Sequence, residues 1–142
     1  MNGKSMAFIG AVGAMFTTAL GGWDNILQLL VIAMVVDYLT GLMVAGIWKA
    51  SPKSENGALE SRAGFKGLCR KGVILSLVLV AHYMDLAMGI QYVRDAMIIG
   101  FSANELLSIV ENIGLMGIEY PQVLKTAIDA LKKKGSDDVQ HS

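Results

Sequence analysis

The chain has 142 residues, of which 54% are hydrophobic, with a mean hydropathy of +0.50 and a formal net charge of zero. A chain this short cannot bury so much apolar surface inside itself, which excludes an ordinary soluble domain and predicts a small protein in contact with the lipid bilayer. The balanced charge provides no bulk field for nucleic acid, and the single Cys69 excludes an internal disulfide.

The first two apolar segments differ in strength. Residues 6–22 are rich in Gly and, at 17 residues, reach only the low end for a membrane span, so they predict either a short interfacial helix or a weak span. Residues 25–48 predict a strong span of about 36 Å at about 1.5 Å per residue. Trp23 and Trp48 bracket this span as interfacial anchors, and Asp37 lies near its middle.

A polar segment, residues 49–71, follows the first span and predicts a loop, because it contains Pro52, Gly57 and several Ser. Its basic residues outnumber Glu55 and Glu60. They are Lys49, Lys53, Arg62, Lys66, Arg70 and Lys71. Such an excess in a short loop indicates the cytoplasmic side of the membrane.

Residues 72–91 predict a second span, with His82 and Asp85 toward its far end. Their spacing of three places them on one helix face, which leaves three readings: a structural pair, a proton relay, or an Asp85 that lies among the lipid headgroups. A short polar turn then leads to a third predicted span, residues 95–118, which ends before Pro121.

The C-terminal region predicts a short amphipathic helix over residues 121–134, with a basic end, followed by a disordered tail over residues 135–142. Three spans with a cytoplasmic first loop place the C-terminus in the cytoplasm and the N-terminus outside. If residues 6–22 also span, the N-terminus moves inside and the rest is unchanged.

The third predicted span is marginal in lipid. Its ten Leu, Ile, Val and Phe residues contribute about −3 to −6 kcal/mol to insertion. Glu105 and Glu111 oppose insertion by up to about 5 to 7 kcal/mol if both lie at the centre and behave like Asp. The segment therefore needs partner helices, or water on one side.

Five polar residues of this segment share one face. At about 100° per residue they fall within an arc of about 120°, which we call the polar arc. Its members are Asn104, Glu105, Ser108, Glu111 and Asn112. The arc predicts either static helix packing or a face that lines water. Asp37 also has two readings: it lines water with the arc, or it is a buried protonated acid that is hydrogen-bonded to another helix.

Motifs for catalysis or metal binding do not occur: we find no nucleophile elbow, phosphate loop or His/Cys ligand cluster. The sequence therefore predicts neither an enzyme nor a cofactor. A small ion channel or ion-coupled transporter subunit, with Asp37, Asp85 and Glu105 along the ion path, is one class that fits, and a passive membrane scaffold is another.

Four motifs resemble the toxin-secretion/phage-lysis holin family. They are "DYLTG" at 37–41, "GFKGLCRK" at 64–71, "NELLSIVEN" at 104–112 and "P..L" at 121–124. The match covers about residues 23–131 in the family's order and spacing. The resemblance implies that residues 1–142 form a single holin domain, an all-α protein with three transmembrane helices, or four if the N-terminal segment spans, and short amphipathic helices at both ends.

The resemblance also implies a function. A holin accumulates in the bacterial cytoplasmic membrane as a homo-oligomer and opens lesions at a set time, which releases an endolysin or a toxin. The endolysin is then a functional partner without direct binding, and an antiholin is a further candidate partner. Met1 and Met6 flank Lys4, so a second start at Met6 is one hypothesis for such an antiholin. We expect the polar arc, together with Asp37, to line the lesion.

Overall fold

The computed structural model describes residues 1–140, which form helices and connecting turns without a strand. The helices are α1 (Gly3–Ala19), α2 (Asn25–Met43, continued by a π-helical turn at Val44–Trp48), α3 (Ser61–Met88), α4 (Val93–Leu115) and α5 (Gln122–Gln140). Three of them are long and apolar enough to cross a membrane: Asn25–Trp48, Ser61–Met88 and Val93–Leu115. The predicted fold class, an all-α membrane protein with three candidate spans, is confirmed.

The connection between α1 and α2 is a tight turn. Gly21 and Gly22 have φ angles of 91° and 101°, a backbone conformation that glycine adopts without steric cost. Asp24 then caps α2, because its side chain accepts a hydrogen bond from the Leu27 N–H at 3.1 Å. This turn fixes where the first candidate span begins.

The loop after the first span is shorter than the sequence predicted. Helix α3 begins at Ser61 rather than at residue 72 and ends at Met88, so the second half of the predicted loop 49–71 is helical. Arg and Lys are good helix formers, and this stretch contains no Pro, so its charge does not prevent a helix. Gly89, with a φ of 66°, ends α3 before the predicted limit at residue 91.

The last two helices also differ in their limits from the prediction. Helix α4 covers Val93–Leu115 rather than 95–118, because the chain turns at Gly117 with a φ of 79°. Helix α5 extends to Gln140, so residues 135–140 of the predicted tail are helical rather than disordered. The remainder of that predicted tail, residues 141–142, lies outside the described residues.

The four helices α2 to α5 lie side by side. Helices α2 and α4 run parallel, since Asp24 contacts Arg94 near the start of both and Asp37 contacts Asn112 further along. Helix α3 runs in the opposite direction, and so does α5. The core between α2, α3 and α4 is apolar and consists of Leu20, Leu27, Leu30, Met34, Val78 and Ile98.

Helix α1 contributes nothing to this core. None of its residues is buried, and its side chains Phe8, Ile9 and Met15 are exposed. The two readings of residues 6–22, an interfacial helix or a weak span, therefore both remain predictions.

Candidate functional site

A cluster of three charged side chains lies between the three candidate spans. Lys71 Nζ of α3 donates to Asp37 Oδ2 of α2 at 2.8 Å and to Glu105 Oε2 of α4 at 2.6 Å. The side chains are 14%, 6% and 9% exposed in that order. Each span thus contributes one residue, and we call these three residues the charge cluster.

The charge cluster depends on all of its members. At these distances the hydrogen bonds are charge-assisted, and such bonds are roughly twice as strong as neutral ones. In a buried site each charge is costly unless it is paired, so removal of the ammonium leaves two carboxylates facing each other. The cluster therefore ties α3 to both of its neighbours.

Asn112 makes a second contact between α4 and α2, further along α4 than Glu105. Its Nδ2 donates to the Asp37 main-chain oxygen and to Asp37 Oδ1, both at 3.1 Å, and to Thr40 Oγ1 at 2.8 Å. The Thr40 hydroxyl in turn donates to the Val36 main-chain oxygen at 2.8 Å. Asp37 thus contacts two other helices, through Lys71 of α3 and Asn112 of α4.

A cavity of about 410 Å³ lies beside the charge cluster. All three cluster residues line it, together with Ser108 of α4. Its opposite wall comes from the loop after α2, including Ser54 and Leu59. The volume of this cavity falls in the range of small-molecule sites. Because the cavity lies between the charge cluster and the loop after α2, the buried charges lie next to the loop that we predicted to be cytoplasmic.

The structure divides the polar arc of α4 into two edges. Glu105 and Asn112 are buried against α2, and we call them the inner edge. Asn104 and Glu111 are exposed, and we call them the outer edge. Ser108 lies between the edges, half-buried at the cavity. The structure thus brings two of the five predicted residues together with Asp37 and leaves two on the surface.

A second polar network surrounds Arg94, where α2 and α4 begin and α3 ends. Its guanidinium donates to Asp24 from Nη1 and Nη2 at 2.7 and 3.1 Å and to Asp95 at 3.1 Å. It also donates to the main-chain oxygens of Leu20 at 2.5 Å and Gly22 at 3.0 Å. The Arg94 side chain is only 6% exposed. These bonds hold the α1–α2 turn on the start of α4.

The Arg94 network lowers the pKa of Asp24. Burial alone would raise the pKa of Asp24, but the hydrogen bonds from Arg94 and from the Leu27 N–H outweigh it and hold the pKa below its ordinary value of 3.8. Asp24 therefore stays a carboxylate in the folded chain and remains a partner for the guanidinium.

The predicted pair of His82 and Asp85 does not form. Asp85 instead caps α4, because its two carboxylate oxygens each accept one main-chain N–H, from Val93 and from Arg94, at 3.0 Å. The His82 ring packs edge-on against Tyr83, with 5.4 Å between the ring centroids. Asp85 has a structural role in this arrangement, since it joins the end of α3 to the start of α4.

The other predicted residues lie as follows. Trp23 and Trp48 are exposed at opposite ends of the first candidate span, and their anchoring role stays a prediction. Of the predicted basic loop, Lys49 and Lys53 lie in the loop itself. Arg62, Lys66 and Arg70 are exposed on the first turns of α3. Lys71 is the exception, because it points into the charge cluster.

Sequence reasoning missed three residues of these networks. The sequence pattern places Lys71 in a loop and Arg94 in a polar turn, and the predicted site does not include Asp24. A signal existed for Asp24, since an Asp that comes two residues after a Gly pair and precedes an apolar run by one residue is typical of a helix cap. Among residues 1–140, no group of His, Cys, Asp and Glu is arranged to hold a metal ion.

Comparisons with known proteins indicate the family of this chain. The model of the "Bacteriophage holin family" matches residues 14–133. An uncharacterized protein of Listeria monocytogenes is 41% identical over 133 residues, which cover 91% of this chain and 88% of that protein. A "Probable holin" of Bacillus phage phi105 is 30% identical over 107 residues, covering 75% of this chain and 73% of its own length. No solved structure matches.

Proposed function

We propose that this chain, which belongs to the bacteriophage holin family, oligomerises in the bacterial cytoplasmic membrane. The oligomer forms lesions that release an endolysin or a toxin. The chain's three long apolar helices fit a membrane protein. The family also points to a protein without enzymatic activity.

The main support for this proposal is the exposed outer edge of α4. Asn104 and Glu111 are exposed on a helix that is otherwise apolar enough to span a membrane. A polar edge that faces hydrocarbon is unfavourable, and it becomes favourable when copies of the chain meet along it or when water reaches it. Several copies that gather their outer edges around water would form a lesion.

The inner edge has a different part in this proposal. Glu105 and Asn112 are already satisfied by the charge cluster and by Thr40, so a single copy needs neither a neighbour nor water for them. We therefore propose that the inner edge keeps the three spans together as one unit, while the outer edge lines the lesion. The sequence predicted that the whole polar arc and Asp37 line the lesion. For that, α4 would have to rotate about its axis, because its inner edge faces α2.

The orientation follows from charge. The loop after α2 and the exposed start of α3 together carry Lys49, Lys53, Arg62, Lys66 and Arg70. The positive-inside rule assigns that end of the bundle to the cytoplasm. We propose that, before a lesion opens, the C-terminus is cytoplasmic and that, with three spans, the N-terminus is outside.

Expression in bacteria tests the function. We expect the chain, produced together with an endolysin, to cause an abrupt loss of membrane potential followed by cell-wall degradation, because a lesion passes a folded enzyme. The endolysin expressed alone is the control and leaves the cells intact. Loss of potential without endolysin release would indicate a small ion channel or transporter subunit. Cells that stay intact and polarised would indicate a scaffold.

A further inference from the structure

Helix α5 packs along most of α4. Leu124, Ile128 and Leu131 form an apolar cluster with residues of α4, and Ile128 is only 1% exposed. The α4 partners in this cluster are Ala103, Leu106, Leu107 and Val110. Further along, a Cβ placed on Gly135 would lie 3.5 Å from Ile99 Cγ2 and 3.7 Å from the Gly100 nitrogen. The two helices therefore run antiparallel and in close contact.

This packing places α5 beside a candidate span. Helix α5 has 19 residues, or about 28 Å at about 1.5 Å per residue, which is close to the thickness of a bilayer core. Gly135 reaches the half of α4 that begins at Val93. If α4 crosses the membrane, an α5 docked in this way lies at membrane depth over nearly its whole length.

The outward side of α5 cannot face lipid. It carries six exposed charged residues, which are Lys125, Asp129, Lys132, Lys133, Lys134 and Asp137. Charged groups are the most costly side chains to place in hydrocarbon, and the helix is not among the candidate spans. A docked α5 at membrane depth therefore needs water, or another copy of the chain, on its outward side.

The charged side of α5 lies next to the outer edge of α4. Asn104 of α4 and Lys132 and Ser136 of α5 line one shallow groove. Polar groups of both helices thus lie on one side of the molecule, in a groove that Met97, Phe101 and Val139 also line. A lesion wall needs such a polar side, whereas a helix dispersed in lipid does not.

We propose that α5 is the second helix of the lesion wall. While single copies of the chain are dispersed in lipid, α5 stays on the cytoplasmic side. In the open lesion α5 docks on α4 as in this structure and turns its charges to the water. The inference rests on the proposed function, since it needs a lesion. The apolar cluster around Ile128 and the small Gly135 are the contacts that dock the helix.

A disulfide between Ile99→Cys and Gly135→Cys, in a Cys69→Ser background, tests the docking directly. A Cβ at position 135 would lie 3.5 Å from Ile99 Cγ2, so side chains at the two positions approach each other closely. With a membrane-permeant oxidant we expect little intramolecular disulfide before lysis and a several-fold rise once endolysin is released. The pair Ile99→Cys and Val123→Cys is the control and stays uncoupled. Full coupling in intact, polarised cells, or none after release, would overturn the proposal.

A second pair of variants tests the same contact without cysteines. Ile128→Glu places a carboxylate in the apolar cluster, whereas Val123→Glu makes the same change at a position of α5 that is 79% exposed. We expect Ile128→Glu to delay or abolish endolysin release and Val123→Glu to leave its timing unchanged. Equal release by both variants would overturn the role of α5. If the unsubstituted chain itself released no endolysin, the proposed function would fail instead.

Discussion

Replacement of Lys71 by Met is expected to lower the free energy of unfolding by about 3–5 kcal/mol, the usual cost of removing one partner from a buried ion pair. The ammonium lies 2.8 Å from one carboxylate and 2.6 Å from another, so its loss leaves Asp37 and Glu105 without a cation and mutually repulsive. Unfolding of the purified protein in detergent, followed by circular dichroism, measures the change.

Two further variants separate charge from volume at this site. Lys66→Met, at an exposed position of the same helix, is the matched control and is expected to change stability little. The triple variant Lys71→Met, Asp37→Asn, Glu105→Gln removes every charge of the cluster, so we expect it to recover much of the lost stability. If Lys71→Met were as stable as Lys66→Met, the charge cluster would not hold the spans together.

Replacement of Arg94 by Met is expected to lower the free energy of unfolding by about 3 kcal/mol, at the lower end for a broken buried pair because Asp24 is half exposed. The change removes the guanidinium donor from the main-chain oxygens of Leu20 and Gly22 and leaves the Asp24 carboxylate with the Leu27 N–H alone. We expect the α1–α2 turn to loosen first, since Arg94 is the side chain that holds it.

Arg62→Met provides the control for Arg94→Met. Arg62 is exposed on the first turn of α3, so the same loss of charge and volume is expected to have little effect there. Limited proteolysis of the turn at residues 20–24, together with detergent unfolding, reads out both variants. Equal protease resistance and equal stability of the two variants would show that the Arg94 network is not required for the fold.

The candidate spans were predictable because length and hydropathy are properties of single segments. Each apolar run contains enough Leu, Ile and Val to identify it without knowledge of its neighbours. The limits were harder to predict. Helix α3 begins well before its apolar part, and nothing in the charged residues 61–71 distinguishes a helix turn from a loop.

Polar residues inside apolar runs were the useful signal for the site. Asp37, Glu105 and Asn112 were identified for that reason, and the structure brings them together. Their partner Lys71 lay outside every apolar run and was therefore assigned to the loop. A helical wheel gives angles around one helix, but it does not say which part of the arc a neighbouring helix covers, so the division into two edges was not predictable.

The Arg94 network shows a different limit. Two of its acceptors are main-chain oxygens, at Leu20 and Gly22, which leave no trace in side-chain patterns. Asp85 likewise bonds to main-chain N–H groups across a chain turn rather than to His82, three residues before it. Contacts between side chains and main chain depend on the path of the turn, which side-chain spacing does not reveal.

The central claim is that the outer edge of α4 becomes wet while the inner edge stays hidden. Reactivity toward a membrane-impermeant maleimide, in a Cys69→Ser background, tests it with Asn104→Cys on the outer edge and Asn112→Cys on the inner edge. Ser102→Cys is a nearly isosteric buried reference on the same helix, since Ser102 is fully buried. We predict that Asn104→Cys reacts once the lesion opens and that Asn112→Cys and Ser102→Cys do not. Equal reaction at positions 104 and 112, or no reaction at 104 while endolysin escapes, would contradict the account.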